Sequence, residues 1–200
     1  MDNTLHNLYA ARFAAAEAVS AYKGVFGDLL FSLMNKDTPT LIPDMLSVYH
    51  AENGLNGLAE SLRLYETLET ACIRPYEMLC SLTRTLKENA VKVGLVSNAD
   101  AASTKIRLKA LGLEDVFDII VNPKTFGVKK PNPEVFRRTL DALGVPADKA
   151  VMIGDRADRD VLPPREAGLS AIHIWFGSTD AKDDVACAET QDDVIRLLIQ

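Results

Sequence analysis

Three short segments of the sequence carry side chains that are suited to binding phosphate and a metal ion. They are Ser97-Asn98, Lys130 in the run Lys-Lys-Pro-Asn-Pro, and the carboxylate pair Asp155 and Asp160. A serine hydroxyl followed by amides that open a helix can hold phosphate oxygens, and a lysine can neutralise a phosphoryl group. Carboxylates with few other protein ligands suit Mg²⁺. Together the segments predict a site for a phosphorylated ligand and Mg²⁺.

Each segment also has a simpler structural explanation when it is considered alone. Ser97 could cap a helix, Lys130 could be an exposed lysine on a turn, and an acidic first turn would favour the helix dipole. The Gly154-Asp155 segment favours a functional role, because capping does not require an aspartate directly after a buried strand and a glycine.

The elements that must hold these segments alternate between strand and helix from Pro75 onward. The apolar runs predict strands at 91–96, 118–121, 150–153 and 171–175. Helices are predicted at 76–89, 101–111, 133–143 and 191–199, with a short helix before Gly168. Regular alternation predicts the α/β class, a three-layer Rossmann-like parallel sheet with helices on both faces. Ligands bind beyond the carboxyl ends of the strands in such sheets.

Residues 8–73 have a different pattern, rich in alanine and leucine, which predicts helices only. The first helix is predicted over 8–34, with a break near Gly24 and Gly27. A second is expected to begin near Asp44, and a third covers 55–71. This stretch is therefore expected to be a helical insert beside the α/β part.

Composition argues against several classes of protein. The formal net charge is −6, which is unlike a protein that binds nucleic acid through a general basic surface. No apolar run reaches the roughly 20 residues that span a bilayer, and the N-terminus lacks the basic region of a signal peptide. Three cysteines without metal-like spacing, Cys72, Cys80 and Cys187, indicate thiols in a reducing cytosol. A cytoplasmic protein without nucleic-acid or membrane partners is expected, and its oligomeric state is unknown.

The order and spacing of the three segments resemble the haloacid dehalogenase (HAD) superfamily. Ser97-Asn98 is similar to its second motif, Lys130 in Lys-Pro-Asn-Pro-Glu-Val-Phe to its third, and Gly154-Asp155 with Asp160 to its fourth. The resemblance is close over about residues 74–176. It implies an α/β core made of residues 1–7 and 74–200, with residues 8–73 as a small helical cap.

The start of the chain resembles part of the family's first motif, which has two aspartates one residue apart and then Thr-Leu. Met1-Asp2-Asn3-Thr4-Leu5 matches this motif if Met1 is its middle residue. The nucleophilic aspartate and its strand would then precede residue 1, so a chain shortened within its first motif is expected. The alternative is that Asp2-Asn3-Thr4 is a polar terminus that caps the first helix.

The resemblance implies a Mg²⁺-dependent phosphomonoester hydrolase that acts on a small phosphorylated metabolite through an aspartyl-phosphate. It gives catalytic roles to Asp2 and Lys130. It assigns the phosphorylated substrate to Thr4, Ser97, Asn98 and Lys130, and Mg²⁺ to Asp2, Asp155 and Asp160. Because the nucleophile is outside the sequence, this chain itself is expected to be inactive.

Three other functions stay open at the level of sequence. A 2-haloacid dehalogenase would attack carbon and need no metal, which the pair Asp155 and Asp160 disfavours. A non-catalytic phospholigand-binding pseudoenzyme agrees with the missing nucleophile. A receiver-like phosphoacceptor domain is disfavoured, because about 70 helical residues precede the first readable strand and no aspartate suits the acceptor position.

Overall fold

The computed structural model describes residues 1–25, 42–176 and 186–199. It divides the chain into two compact units. Unit 1 comprises Met1–Asn7 and Pro75–Gln200, and unit 2 comprises Leu8–Arg74. Within the described ranges, no helix is long and apolar enough to cross a membrane.

Unit 2 consists of helices throughout its described part, as the sequence pattern predicts. They are α1 (Leu8–Lys23), α2 (Ile42–Glu52) and α3 (Leu58–Ala71). The chain leaves α1 at Gly24, whose φ of 71° lies in the left-handed region that favours glycine. The remainder of the helix predicted over 8–34, including Gly27, lies outside the described residues. The predicted start of α2 was two residues late, and that of α3 was three residues early.

The core of unit 2 combines small residues on α1 with larger side chains from the other two helices. Its fully or nearly fully buried members are Ala15, Ala16, Val19, Met45, Leu46, Tyr49 and Tyr65. Two side-chain hydrogen bonds cross this core. Tyr49 donates through its hydroxyl to Ser20 Oγ at 3.1 Å, and His50 Nε2 lies 3.0 Å from Ser61 Oγ. The polar groups of these buried residues are therefore used in helix packing.

Unit 1 alternates between strands and helices, which confirms the predicted α/β class. Its helices are α4 (Glu77–Glu88), α5 (Ala101–Leu111), α6 (Pro123–Phe126), α7 (Glu134–Leu143), α8 (Leu162–Glu166) and α9 (Gln191–Leu198). Its strands are β1 (Gly94–Val96), β2 (Ile119–Val121), β3 (Val151–Gly154), β4 (Ser170–Ile174) and β5 (Cys187–Ala188). The helix predicted at 101–111 is confirmed at both ends. Asp100 caps its start by accepting from Ser103 N, and Gly112 ends it at a φ of 62°.

The first strand is shorter than predicted, because residues 91–93 make other hydrogen bonds. Val91 N donates to Leu86 O at the end of α4, and Val93 N donates to the carboxylate of Asp118. The sequence pattern missed β5, which has two residues and is too short to show a strand periodicity. It also missed α6, which lies in a segment predicted to be a loop.

The strands form two parallel sheets in the described part of unit 1. One has the order β1-β2 and the other the order β3-β4-β5. No ladder joins β1 to β3 among these residues, so each has one edge without a strand partner. Burial follows this pattern: Val151 of β3 is 40% exposed, whereas Ala171–Ile174 of the doubly paired β4 are buried.

A close backbone approach shapes the chain after β3. Ala157–Val161 form one turn of π-helix, and Asp160 N donates to Arg156 O at 2.7 Å. This turn folds Asp160 back onto Gly154. A Cβ atom added to Gly154 would lie 2.3 Å from the Cβ of Asp160, which real Cβ atoms essentially never do. The glycine is therefore required by space and not by its backbone angles.

Replacing Gly154 with alanine should lower the free energy of unfolding by about 1–3 kcal/mol, the usual range for overpacking a tight site. Urea denaturation of both proteins would measure the loss. The same substitution in an Asp160→Gly background should be less destabilising, because the clashing Cβ is then absent. An equal loss in the two backgrounds would show that the contact with Asp160 is not the cause.

Candidate functional site

Ser97 lies directly beyond β1, at the carboxyl edge of the first sheet. Its backbone N donates to Val121 O at 2.9 Å, so the ladder with β2 extends one residue past the strand. Its hydroxyl, which is buried, accepts from the amide of Ala99 at 3.1 Å. The amide of Ala99 thus points toward the side chain of Ser97, as is common in a loop that leads into a helix.

Asn98 joins this loop to the segment that contains Lys130. Its Nδ2 donates to Lys130 O at 2.8 Å, and its Oδ1 accepts from Lys130 N at 3.0 Å. Both polar atoms of the amide are therefore committed to the backbone of the lysine. The sequence predicts that Asn98 contacts the substrate, and the structure adds that its amide fixes the position of Lys130.

A buried ion pair connects the Lys130 segment to the loop after β3. Lys130 Nζ donates to Asp160 Oδ1 at 2.5 Å, and both side chains are nearly inaccessible to solvent. Charges that are removed from water in this way need a partner. The ion pair therefore ties together two loops that are 30 residues apart.

Asp155 is a second buried carboxylate beside this ion pair. Asn3 donates through Nδ2 to its Oδ2 at 3.3 Å. Burial, together with the nearby carboxylate of Asp160, raises the pKa of Asp155 to about 6. The amino group of Met1, the hydrogen bond from Asn3 and the charge of Lys130 offset only part of this effect on the pKa of Asp155.

This excess of negative charge fits a divalent cation. Mg²⁺ is commonly held by one or two carboxylates, with water and substrate phosphate as its other ligands. Asp155 and Asp160 provide that number. Across residues 1–25, 42–176 and 186–199, no group of three or more His, Cys, Asp or Glu side chains could hold a metal ion. Asp155 and Asp160 are the residues that could hold Mg²⁺ here.

The turn at Met1–Leu5 brings the first residues of the chain to the same place. Leu5 N and Thr4 N both donate to Met1 O, and Asn3 adopts a φ of 51° within this turn. Asparagine tolerates that left-handed conformation better than most residues do. Thr4 is buried. The contact between Asn3 and Asp155 makes the turn part of the candidate site.

Asp2 is held by two basic side chains that the sequence pattern did not single out. Its Oδ1 lies 3.1 Å from His6 Nε2, and its Oδ2 accepts from Arg107 Nη1 at 2.8 Å. Burial alone would raise the pKa of Asp2, but the hydrogen bond with His6 and the Arg107 guanidinium hold it well below its usual range. In this arrangement Asp2 is an ionised carboxylate that can accept a proton. In the sequence, the spacing of four residues from Asp2 is the one indication of a role for His6. Nothing in the sequence indicates a role for Arg107.

Comparison with known proteins decides the family. The family model described as haloacid dehalogenase-like hydrolase matches residues 1–174. The chain belongs to this family. A curated relative from Methanocaldococcus jannaschii, glyceraldehyde 3-phosphate phosphatase, is 28% identical over 166 residues, which cover 82% of this chain and 66% of that protein.

Further relatives of this HAD-like hydrolase agree with that assignment. Phosphoglycolate phosphatase of Aquifex aeolicus is 36% identical over 103 residues, covering 51% of this chain and 48% of the relative. The chain thus spans about half to two thirds of the length of these curated relatives. The HAD hydrolase YfnB of Bacillus subtilis, solved bound to magnesium, shares the fold with a TM-score of 0.77 at 17% identity, covering 100% of this chain and 96% of that one.

The raised pKa of Asp155 predicts that this HAD-like hydrolase loses stability as the pH rises. The folded state holds a proton on Asp155 up to about pH 6, whereas the unfolded chain releases it near pH 3.8. Stability should therefore fall between about pH 4 and pH 7, and roughly 3 kcal/mol is the corresponding scale. In the presence of a chelator, Asp155→Asn should raise the free energy of unfolding at pH 8, with little effect at pH 4.

Urea denaturation of the two proteins at both pH values would measure this difference. Asp158→Asn is the matched control, because Asp158 is an exposed aspartate on the same loop and should show no comparable pH dependence. A loss of stability in Asp155→Asn at pH 8 would contradict the predicted sign.

The two hydrogen bonds of Asn98 predict a separate effect on stability. Asn98→Ala removes both and leaves buried backbone groups of the Lys130 segment without partners, which should destabilise by about 1–3 kcal/mol. Asn89→Ala serves as the comparison, since Asn89 makes one exposed bond, to Thr85 O. Its expected effect is within about 0.5 kcal/mol. Equal urea midpoints for the two variants would rule out the bridging role.

Proposed function

We propose that the complete protein is a Mg²⁺-dependent phosphomonoester hydrolase of the HAD family. The observation that carries this proposal is the buried group of Asp155, Asp160 and Lys130. Two carboxylates share one lysine, and the pKa of Asp155 is raised because burial and Asp160 disfavour its charge. A bound Mg²⁺ would supply the missing positive charge and polarise the phosphoryl group of the substrate.

Each site residue has a specific part in this proposal. Asp155 binds Mg²⁺ through its carboxylate and Asp160 supports it, with the main-chain carbonyl of Asp2 as a further ligand. Ser97 and Thr4 bind phosphate oxygens. Lys130 neutralises the phosphoryl group as charge develops on it. Asn98 contributes by fixing the Lys130 backbone, in keeping with its two hydrogen bonds.

Proton transfer is assigned to Asp2. Its pKa is held well below the usual range, so Asp2 is ionised in the free site and binds a proton only weakly. Protonating the leaving group requires a proton on Asp2, which a negatively charged phosphate nearby would favour by raising its pKa. The contacts of His6 and Arg107 with the Asp2 carboxylate would then weaken. The same group would afterwards take a proton from the attacking water.

The nucleophile of the family's route is the aspartate two positions before Asp2 in the first motif. The covalent route is therefore proposed for a protein that carries an aspartate at that position of the motif. Residues 8–73 are proposed to be the cap that selects the substrate. Curated relatives include phosphatases of glyceraldehyde 3-phosphate and phosphoglycolate, which supports a small phosphorylated metabolite as the substrate.

The proposal predicts Mg²⁺-dependent phosphate release once the chain is preceded by its upstream coding sequence. The extended protein should hydrolyse at least one member of a panel that includes glyceraldehyde 3-phosphate and phosphoglycolate. Lys130→Ala should lower kcat by about 10²–10³-fold, as loss of one charge-stabilising group does. Lys129→Ala is the matched control, since Lys129 is exposed and Lys130 is buried.

Distinct results would count against different parts of the proposal. In-frame sequence ahead of Met1 without an apolar strand that ends in aspartate would remove the shortened-chain hypothesis. No phosphate release by the extended protein from any substrate would favour a phospholigand-binding pseudoenzyme. Halide release from a 2-haloacid in the presence of a chelator would favour the dehalogenase. Turnover by the chain that begins at Met1 would contradict the assigned nucleophile.

A further inference from the structure

The buried imidazole of His173 contacts the backbone of Asp155. His173 lies on β4 and is fully buried, and its Nε2 is 3.2 Å from the main-chain oxygen of Asp155. A carbonyl oxygen can only accept a hydrogen bond, so the imidazole carries its proton on Nε2 and donates it. Neither the sequence motifs nor the proposed mechanism assigns a role to this residue.

The contact occurs where β3 leaves the sheet. Gly154 and His173 are the last register pair between β3 and β4. One residue later, the chain turns toward the π-helical turn, and the carbonyl of Asp155 receives its donor from a side chain. A buried carbonyl without a donor is strongly disfavoured. The imidazole therefore determines how the peptide group after Asp155 is oriented.

His173 is itself held firmly. Its strand is paired on both sides, with β3 and with β5. His173 N donates to Ala186 O at 2.9 Å, and the residue lies in register with Cys187 of β5. Groups built on paired strands are positioned more accurately than groups on loops. The imidazole thus transfers the rigidity of the central strand to the loop that carries Asp155.

The other contacts of Asp155 act on different atoms. Asn3 occupies Oδ2 of the carboxylate, and Gly154 is restricted by the close approach of Asp160. The bond from His173 acts on the peptide oxygen instead and leaves the carboxylate oxygens unchanged. Such partners of metal-binding residues commonly change metal affinity by 10–100-fold when they are removed.

We infer that His173 is a positioning residue for Asp155, which it holds in the orientation that binds Mg²⁺. The inference rests on the proposed function, because it takes Asp155 as the carboxylate that binds the metal. A purely structural histidine would instead affect folding stability alone. A positioning role predicts that Mg²⁺ affinity changes separately from stability, and that an N–H donor at the same position restores the affinity. A purely structural role predicts neither result.

The test compares Mg²⁺ binding by calorimetry in the chain that begins at Met1, using three variants. His173→Leu keeps an apolar side chain in the core without a donor, and it should weaken Mg²⁺ binding by about tenfold or more. His173→Gln restores an N–H near the position of Nε2 and should bind within about threefold of the parent chain. His50→Leu is the control, because His50 is also buried and bonded through Nε2, but lies in unit 2.

Urea denaturation of the same proteins gives the structural comparison. His50→Leu should lower the unfolding midpoint as His173→Leu does, while its Mg²⁺ affinity stays unchanged. If His173→Leu does not fold, His173→Met replaces it, since the flexible methionine adapts to an irregular space. Calorimetry then measures Mg²⁺ binding by that variant.

The outcomes separate the inference from the proposed function. Unchanged Mg²⁺ affinity in the variant without a donor would overturn the positioning role and leave the metal site in place. Equal losses in His173→Leu and His173→Gln would overturn the role of the Nε2 proton. No Mg²⁺ binding by the parent chain would overturn the metal site of the proposed function, and the inference with it.

Discussion

The buried ion pair between Lys130 and Asp160 is the interaction on which the site depends. Buried ion pairs offset their desolvation only when the geometry is good and the remaining polar atoms are bonded. Here the lysine backbone is fixed by Asn98, and the aspartate is fixed by a π-helical turn packed on Gly154. Once Lys130 is bonded to Asp160, Asp155 remains a buried carboxylate without a full counter-charge. The proposed binding of a cation therefore rests on the ion pair.

The parallel topology makes this interaction possible. Asn98 follows β1 and Lys130 comes after β2 of the same parallel sheet, so these residues become neighbours although they are 32 positions apart. The turn at Met1–Leu5 joins them through Asn3. Lys130 and Asp155 lie outside the helices, and Asp160 lies in the π-helical turn after β3. An α-helix also fixes the Ser97 loop, because Asp100 directly after this loop caps the start of α5.

The sequence was sufficient to predict the α/β class and most elements, because apolar runs and helix caps are local signals. Ser97, Lys130 and Asp155 could be singled out because each lies close to such a run or directly before a proline. Arg107 could not be found in this way. It lies 105 residues from Asp2, on a helix whose sequence shows no feature that points to a partner. His173 reads as one more residue of a buried strand, and only the register with Gly154 reveals its contact. Long-range pairing is thus what the local patterns lack.

The two sheets of unit 1 also bear on how this unit opens. Within the described residues, β1-β2 and β3-β4-β5 share no backbone hydrogen bond, so separating one sheet breaks no ladder of the other. Stability in proteins is distributed over such cooperative groups, and each can exchange its amide hydrogens on its own. The short ladder at Gly94–Val96 and the longer one at Val151–Gly154 are joined through side chains instead, because Met152 packs against the core of Val96 and Val121. Ser97 follows the first ladder and Asp155 the second, so a difference in amide protection between them would measure how strongly this side-chain contact couples the two ends of the site.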